Sequence, residues 1–217
     1  MAAPRGNNMS NTLDHFMYAG RDLDELVSRF KSMSGVAAGI GGSHPGLGTR
    51  NALASLGDDV YLELIAPDPE QNIPGSWGDL FRTFEAPRIF TYIVRAKNLE
   101  GIQSTLAAEG IESDLIAASR KTPAGATLRW RLLLPRQNPF GDYIPKFIDW
   151  LDTPHPALTS VKGCTLGTFA LGHPEALRLG SILSAVGINV PLERADRPLF
   201  RAQLQTPKGP LILNSGN

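Results

Sequence analysis

The chain has 217 residues, of which 42% are hydrophobic, enough for one substantial domain or two small fused ones. Lys and Arg together number 21, as do Asp and Glu, so neither a global field nor a basic run draws in nucleic acid or an anionic membrane. No apolar stretch approaches the roughly 18 residues of a membrane span, and MAAPRGNNMSNT lacks the apolar core of a secretory signal, so a soluble cytoplasmic protein is expected.

Residues 1–12 read as a flexible tail. LDHFMYAG then alternates with period two, placing Leu13, His15, Met17 and Ala19 on one face and Asp14, Phe16 and Tyr18 on the other. A helix follows: Asp22 is its expected N-cap, with Glu25 three residues on. Leu23, Leu26, Val27 and Phe30 form the apolar stripe, and Gly35 is the stop. RNALASLG and VYLELIAP read as two strands turned by Gly57, Asp58 and Asp59. Alternation in the second puts Tyr61, Glu63 and Ile65 on one face and Leu62 and Leu64 on the other.

The unit of strand, helix and glycine stop recurs twice. IFTYIVRAKNLEGIQSTLAAEGI starts its helix at Asn98 and closes at Gly110, and TLGTFALGHPEALRLGSILSAVGI has Pro174 near its first turn and closes at Gly187. The spacing, roughly 75 residues, suits duplicated α/β modules rather than a solenoid. Strand-like runs follow each helix, GATLRWRLLLP and PKFIDWLD in the second unit, LFRAQLQT and GPLILNS in the third. The expected fold is therefore α+β, with a helix packed on one face of a small sheet in each module. Residues 13–67 and 88–154 form a pair joined by a long loop, 68–87, and residues 155–217 form a third, shortened βαββ module. Cys164, the single cysteine, excludes an intrachain disulfide and a cysteine-based zinc cluster; within CTLGTFAL it reads as a small buried hydrophobe.

Several polar residues stand out. In GGSHPGLGTRN, His44 is either a base or ligand or part of an ordinary turn, and Asn51 is a candidate hydrogen-bonding group for a ligand. The long loop carries Trp77, Phe81 and Phe84, of which Trp77 either lines a pocket or packs across the module junction. Arg129 and Arg131 share one face of TLRWRLLL opposite Leu128, Trp130 and Leu132; were that face concave, they would clamp a carboxylate or phosphate. His155, between prolines, and His173, near a helix start, read as structural. No nucleophile elbow, phosphate-binding glycine loop or dinucleotide fingerprint is present.

LDH in the first strand, GGSHPGLGTRNAL after the helix and YLELIA in the last strand of the first module resemble the glyoxalase-like branch of the vicinal oxygen chelate superfamily. The resemblance extends over most of the chain and implies paired βαβββ modules curled into a cup around a small-molecule site. It also implies a divalent metal, Zn, Mn, Ni or Fe(II), held by first-strand and last-strand residues of each module. By position His15 and Glu63 match the ligands of the first module and Asp149 is the candidate from the second, while Thr91, Gly167 and Ile212 stand where ligands would otherwise be. The resemblance thus implies an enzyme, a metal-assisted lyase, isomerase or hydrolase acting on a carbonyl or carboxylate substrate, with His15, Glu63 and His44 as catalytic groups. The alternative is a metal-free binding or sequestering protein using the same cup. A homodimer is compatible with the near-zero net charge.

Overall fold

A computed structural model describes residues 11–121, 125 and 127–216. The first ten residues of the expected tail lie outside the described residues. The last two do not behave as a tail: Asn11 donates to the carbonyls of Gly187 at 3.1 Å and Val186 at 2.7 Å, and Thr12 opens the first strand.

The first module consists of β1 (Thr12–Ala19), α1 (Leu23–Ser34), β2 (Gly39–His44), β3 (Thr49–Ser55) and β4 (Tyr61–Pro67). The cap signals fix α1. The Asp22 carboxylate accepts the Glu25 amide at 2.8 Å, Leu23, Leu26 and Phe30 are buried, and Gly35 ends the helix at φ 83°. Gly110 and Gly187 also have positive φ, 76° and 73°, so the three stops share one backbone conformation that favours glycine. The strand β2 goes beyond the elements the sequence displays, because GIGGSH contains little of the β-branched and aromatic character that marks a strand. It forms through pairing with β3.

The long loop contains a short helix, α2 (Trp77–Arg82), capped by the Ser76 hydroxyl. The second module repeats the order of the first with β5 (Arg88–Arg95), α3 (Leu99–Ala108), β6 (Ser113–Lys121), β7 (Thr127–Pro135) and β8 (Lys146–Asp149). Among the described residues the two modules form one curled, mixed eight-stranded sheet, β2-β3-β4-β1-β5-β8-β7-β6. The first strands β1 and β5 join antiparallel at its centre, and each pairs in parallel with the last strand of its own module. The final segment, β9 (Thr165–His173), α4 (Ala176–Ala185), β10 (Leu192–Arg194), β11 (Leu199–Thr206) and β12 (Gly209–Asn214), forms a second, four-stranded sheet.

Alternation separates two cores. Phe16, Tyr18, Leu62 and Leu64 face α1 and the second sheet, where Phe169 stacks on Phe16 at 5.3 Å. Met17, Tyr61 and Ile65 face the concave side with Ile93, Ile148 and Trp150. The expected parity of β1 and β4 therefore holds for these residues, and the concave face is the one that carries His15 and Glu63.

The helix α2 is pressed against the β2–β3 turn. A Cβ placed on Gly78 would lie 1.9 Å from the carbonyl oxygen of Gly48, which already accepts the Asp68 amide at 2.9 Å. Overpacking against backbone costs about 1–3 kcal/mol, so Gly78→Ala is expected to lower the melting temperature by about 3–8 °C and to shift Trp77 fluorescence. A variant melting with the wild type would contradict the contact.

Candidate active site

The centre of the site is a carboxylate and an imidazole that are adjacent in sequence. On a regular strand Asp14 and His15 would point to opposite faces, but the β1–β5 pairing slips between Leu13 and His15, and this bulge brings both side chains into one buried network. Asp14 is fully buried and accepts three hydrogen bonds, from His15 Nδ1 at 2.7 Å, His155 Nε2 at 2.9 Å and Trp150 Nε1 at 3.0 Å. Burial disfavours the carboxylate, yet the two imidazoles hold its pKa well below the ordinary range. His155 Nδ1 accepts the Ala157 amide at 3.3 Å, so its proton is on Nε2, directed at Asp14.

His15 stacks on Tyr61, with ring centroids 4.3 Å apart, and turns Nε2 towards Glu63 Oε2 at 3.3 Å. Both ring nitrogens thus face carboxylates. Burial alone would favour the neutral ring; the hydrogen bonds and charges of Asp14 and Glu63 prevail and raise the pKa to about 9. Glu63 shows the converse: burial favours its acid form, but His15, His44 and Asn51 lower its pKa to about 2. Its other oxygen, Oε1, accepts from Asn51 Nδ2 at 2.6 Å and lies 3.8 Å from His44 Nε2. His44 is oriented in turn by Thr49 Oγ1, 2.9 Å from Nδ1, and by Asn51 Nδ2, 3.2 Å from Nε2. The sequence candidates His15, Glu63, His44 and Asn51 therefore converge, on strands β1, β4, β2 and β3.

These groups form one wall of a chamber of about 100 Å³ whose remaining walls include Ile93, Trp130, Ile148 and Trp150. Trp77 lines it too, so the long loop does contribute an aromatic wall. The second module's polar contribution is a residue that the sequence did not single out. Lys146 is buried, donates to Thr91 Oγ1 at 3.1 Å, ion-pairs with Asp142 and sits 5.3 Å from the Trp77 ring centroid. Burial pulls its pKa down against the pull of Asp142.

Three expected residues are elsewhere. In KFID it is Lys146 and Ile148 that line the chamber; Asp149 faces away, bound to Lys97 at 2.7 Å and 3.7 Å from Arg131. Arg131 lies opposite Asp149 in the β7–β8 register and also pairs with Glu100 on α3 at 2.5 Å, so it serves the outer face. Arg129 is exposed on that outer face, its backbone tied to Thr153. The inward face of β7 carries Trp130 and Leu132 instead.

The donor set does not fit the divalent ion that the resemblance implies. His15 and Glu63 supply half of a coordination sphere, but the facing half offers Ile93, Ile148, a hydroxyl bound to an ammonium, and that ammonium. Among the described residues no three His, Cys, Asp or Glu side chains are grouped to hold a metal, whereas such ions ordinarily take at least three.

The sequence matches a known family, described as a glyoxalase-like domain, over residues 13–187. The chain belongs to that family. No curated protein matches it. Among solved structures, a hypothetical protein from Staphylococcus aureus superposes with a TM-score of 0.62 at 18% identity, covering 94% of this chain and 85% of that one. A methylmalonyl-CoA epimerase variant from Streptomyces coelicolor, in complex with 2-nitronate-propionyl-CoA, reaches 0.50 at 15% identity over 67% of this chain and 98% of its own. A variant of 4-hydroxymandelate synthase, also from Streptomyces coelicolor, reaches 0.53 at 14% identity over 94% and 62%. These likenesses show that the glyoxalase-like chain shares its fold with these proteins.

In this glyoxalase-like site the folded state holds the His15 proton more tightly than an unfolded chain. That stabilisation is complete below the ordinary histidine value of 6.5 and is lost as pH rises through about 9. Glu63 acts oppositely, stabilising fully above 4.5 and losing its effect as pH falls towards about 2. Nitrogen NMR is expected to show His15 as an imidazolium at pH 7, deprotonating only near pH 9. Asp14→Asn should lower that midpoint by about one unit or more and cost about 3–5 kcal/mol of stability. A neutral His15 ring at pH 7 would refute the assignment.

Proposed function

We propose that the protein is a small-molecule enzyme that moves a proton beside a carbonyl group, using Glu63 as the base and His15 as its charged partner, without a metal. The observation that carries this reading is the buried Asp14, His15 and Glu63 array at the wall of an otherwise apolar chamber. Asp14 fixes the imidazole, the imidazolium keeps Glu63 ionised at neutral pH, and the apolar walls exclude the water that would compete for the proton.

In the step envisaged, Glu63 takes a proton from the carbon next to the substrate carbonyl. The C–H electron pair moves into the new C–C double bond, the carbonyl pair moves to oxygen, and the enolate is reprotonated at the same or a neighbouring atom. The substrate isomerises, and no oxidant, reductant or co-reactant is consumed. Glu63, then a carboxylic acid, returns the proton it took, and His44, at the edge of the chamber, accepts from the same Asn51 amide that donates to Glu63. A second reading, a protein that binds a small hydrophobic molecule without changing it, is favoured by the apolar wall of Ile93, Ile148, Trp130 and Trp150.

Incubating the protein in D₂O with a panel of 2-oxo acids and acyl thioesters, and following deuterium uptake by mass spectrometry, separates the two. Exchange that is indifferent to EDTA and falls about 10²- to 10⁴-fold in Glu63→Gln is expected. Full exchange in that variant would defeat the proton-transfer reading, and binding with no exchange by the wild type would leave the sequestering one.

A further inference from the structure

The chamber alone is too small for a whole substrate. Its volume of about 100 Å³ is below the roughly 300 Å³ at which small-molecule pockets ordinarily begin. It continues, however, into a trough of about 650 Å³ between the β2–β3 turn, the long loop and the edge of β6 and β7. Chamber and trough share Leu47, Trp77, Leu132, Leu134 and Lys146 as lining residues. The trough is predominantly apolar, and at its rim Leu47 and Ile116 are 52% and 38% exposed. Large aliphatic side chains left open along a concave, continuous surface indicate a hydrophobic occupant.

At the junction stands Lys146. An ammonium has three N–H donors. Asp142 and Thr91 take two of them, and the third has no hydrogen-bond partner among the described residues. The neighbouring rings, Trp77 at 5.3 Å and Phe90 at 5.7 Å, steady the charge through their faces but accept no conventional hydrogen bond. A buried cation with a spare donor, between a proton-transfer site and an apolar trough, matches one end of an amphiphile.

We infer that the substrate is an acyl compound with an alkyl tail of medium length: its carboxylate or carbonyl oxygen binds Lys146, its reactive head enters the chamber, and its tail lies in the trough. The inference rests on the proposed function for where the reacting carbon sits, but its binding determinants are separate from Glu63. Lys146 is then the residue that determines head-group specificity, and the tail supplies affinity.

Calorimetric titration of the full-length protein with hexanoate, decanoate and decan-1-ol tests it. Decanoate should bind at least about tenfold more tightly than hexanoate, since each buried methylene is worth about three- to fourfold in the limit of full burial. It should also exceed decanol by about tenfold through the charge-assisted bond to Lys146. Lys146→Met should bring the decanoate-to-decanol ratio to about one while keeping the dependence on chain length. Ile116→Glu, at the exposed rim where folding is not at stake, should weaken decanoate about tenfold and leave hexanoate within about twofold. Equal affinity for hexanoate and decanoate, or an unchanged head-group preference in Lys146→Met, would overturn the inference. Glu63→Gln should bind decanoate within about twofold of the wild type, so a failure of proton transfer with intact chain-length dependence counts against the proposed function alone.

Discussion

A carboxylate with no access to water has to find its partners inside the protein, and Asp14 finds them in three places. His15 comes from the first strand of the first module, at the centre of the joined sheet, Trp150 from just beyond the last strand of the second module, and His155 from the segment leading to the second sheet. An unpaired buried charge costs several kcal/mol, so the three donors are required together and the separate parts of the chain are drawn to one point. The bulge in β1 is what makes this geometry available. It also sets the state of the site: with Asp14 ionised and bonded to Nδ1, the His15 ring is fixed in orientation and keeps Nε2 directed at Glu63.

The two modules share a topology and divide the chemistry unequally. Around the seam of β1 and β5, His15 lies opposite Ile93 and Met17 opposite Thr91. One side of the chamber is therefore ionic and hydrogen-bonded, and the other is hydrophobic with a single cation. In a symmetric cup an ion could bridge the halves. Here an ammonium stands on the far side and brings its own counter-charge, Asp142, four residues earlier in the chain. Duplicated backbone with divergent side chains gives an asymmetric chamber, polar on one wall and apolar on the other.

The elements visible in the sequence were those fixed by local rules. The N-caps at Asp22 and Asn98, the three glycine stops and the period-two runs of β1 and β4 each state their structure within a few residues, and His15 and Glu63 share the concave face as their parity requires. Asp149 corresponds to Glu63 in its place along the last strand of its module, but the inward positions of β8 are 146 and 148. Arg129 and Arg131 share one face of β7 as its alternation requires, but which face is concave depends on pairing across the whole sheet. Asp14 was hidden by a bulge, a property of two strands and not of one. A lysine at the start of a strand ordinarily lies at the surface; only the closure of Trp77 and Phe90 around Lys146 makes it a buried cation.

The same dependence on distant contacts explains how the chamber mouth is built. Residues 68–76 are held down by Asp68, which accepts from the Ser43 hydroxyl and from Gln71 Nε2 at 2.8 Å, while Gln71 Oε1 accepts the Gly46 amide at 2.8 Å. With the close approach of Gly78 to Gly48, these bonds seat α2, and hence Trp77, on the very hairpin that presents His44 and Asn51. The aromatic cover and the polar groups beneath it are therefore one mechanical unit. A displacement of the hairpin that opened the mouth would also withdraw Asn51 and His44 from Glu63, so access to the chamber and the alignment of its buried polar groups are coupled through the same few hydrogen bonds.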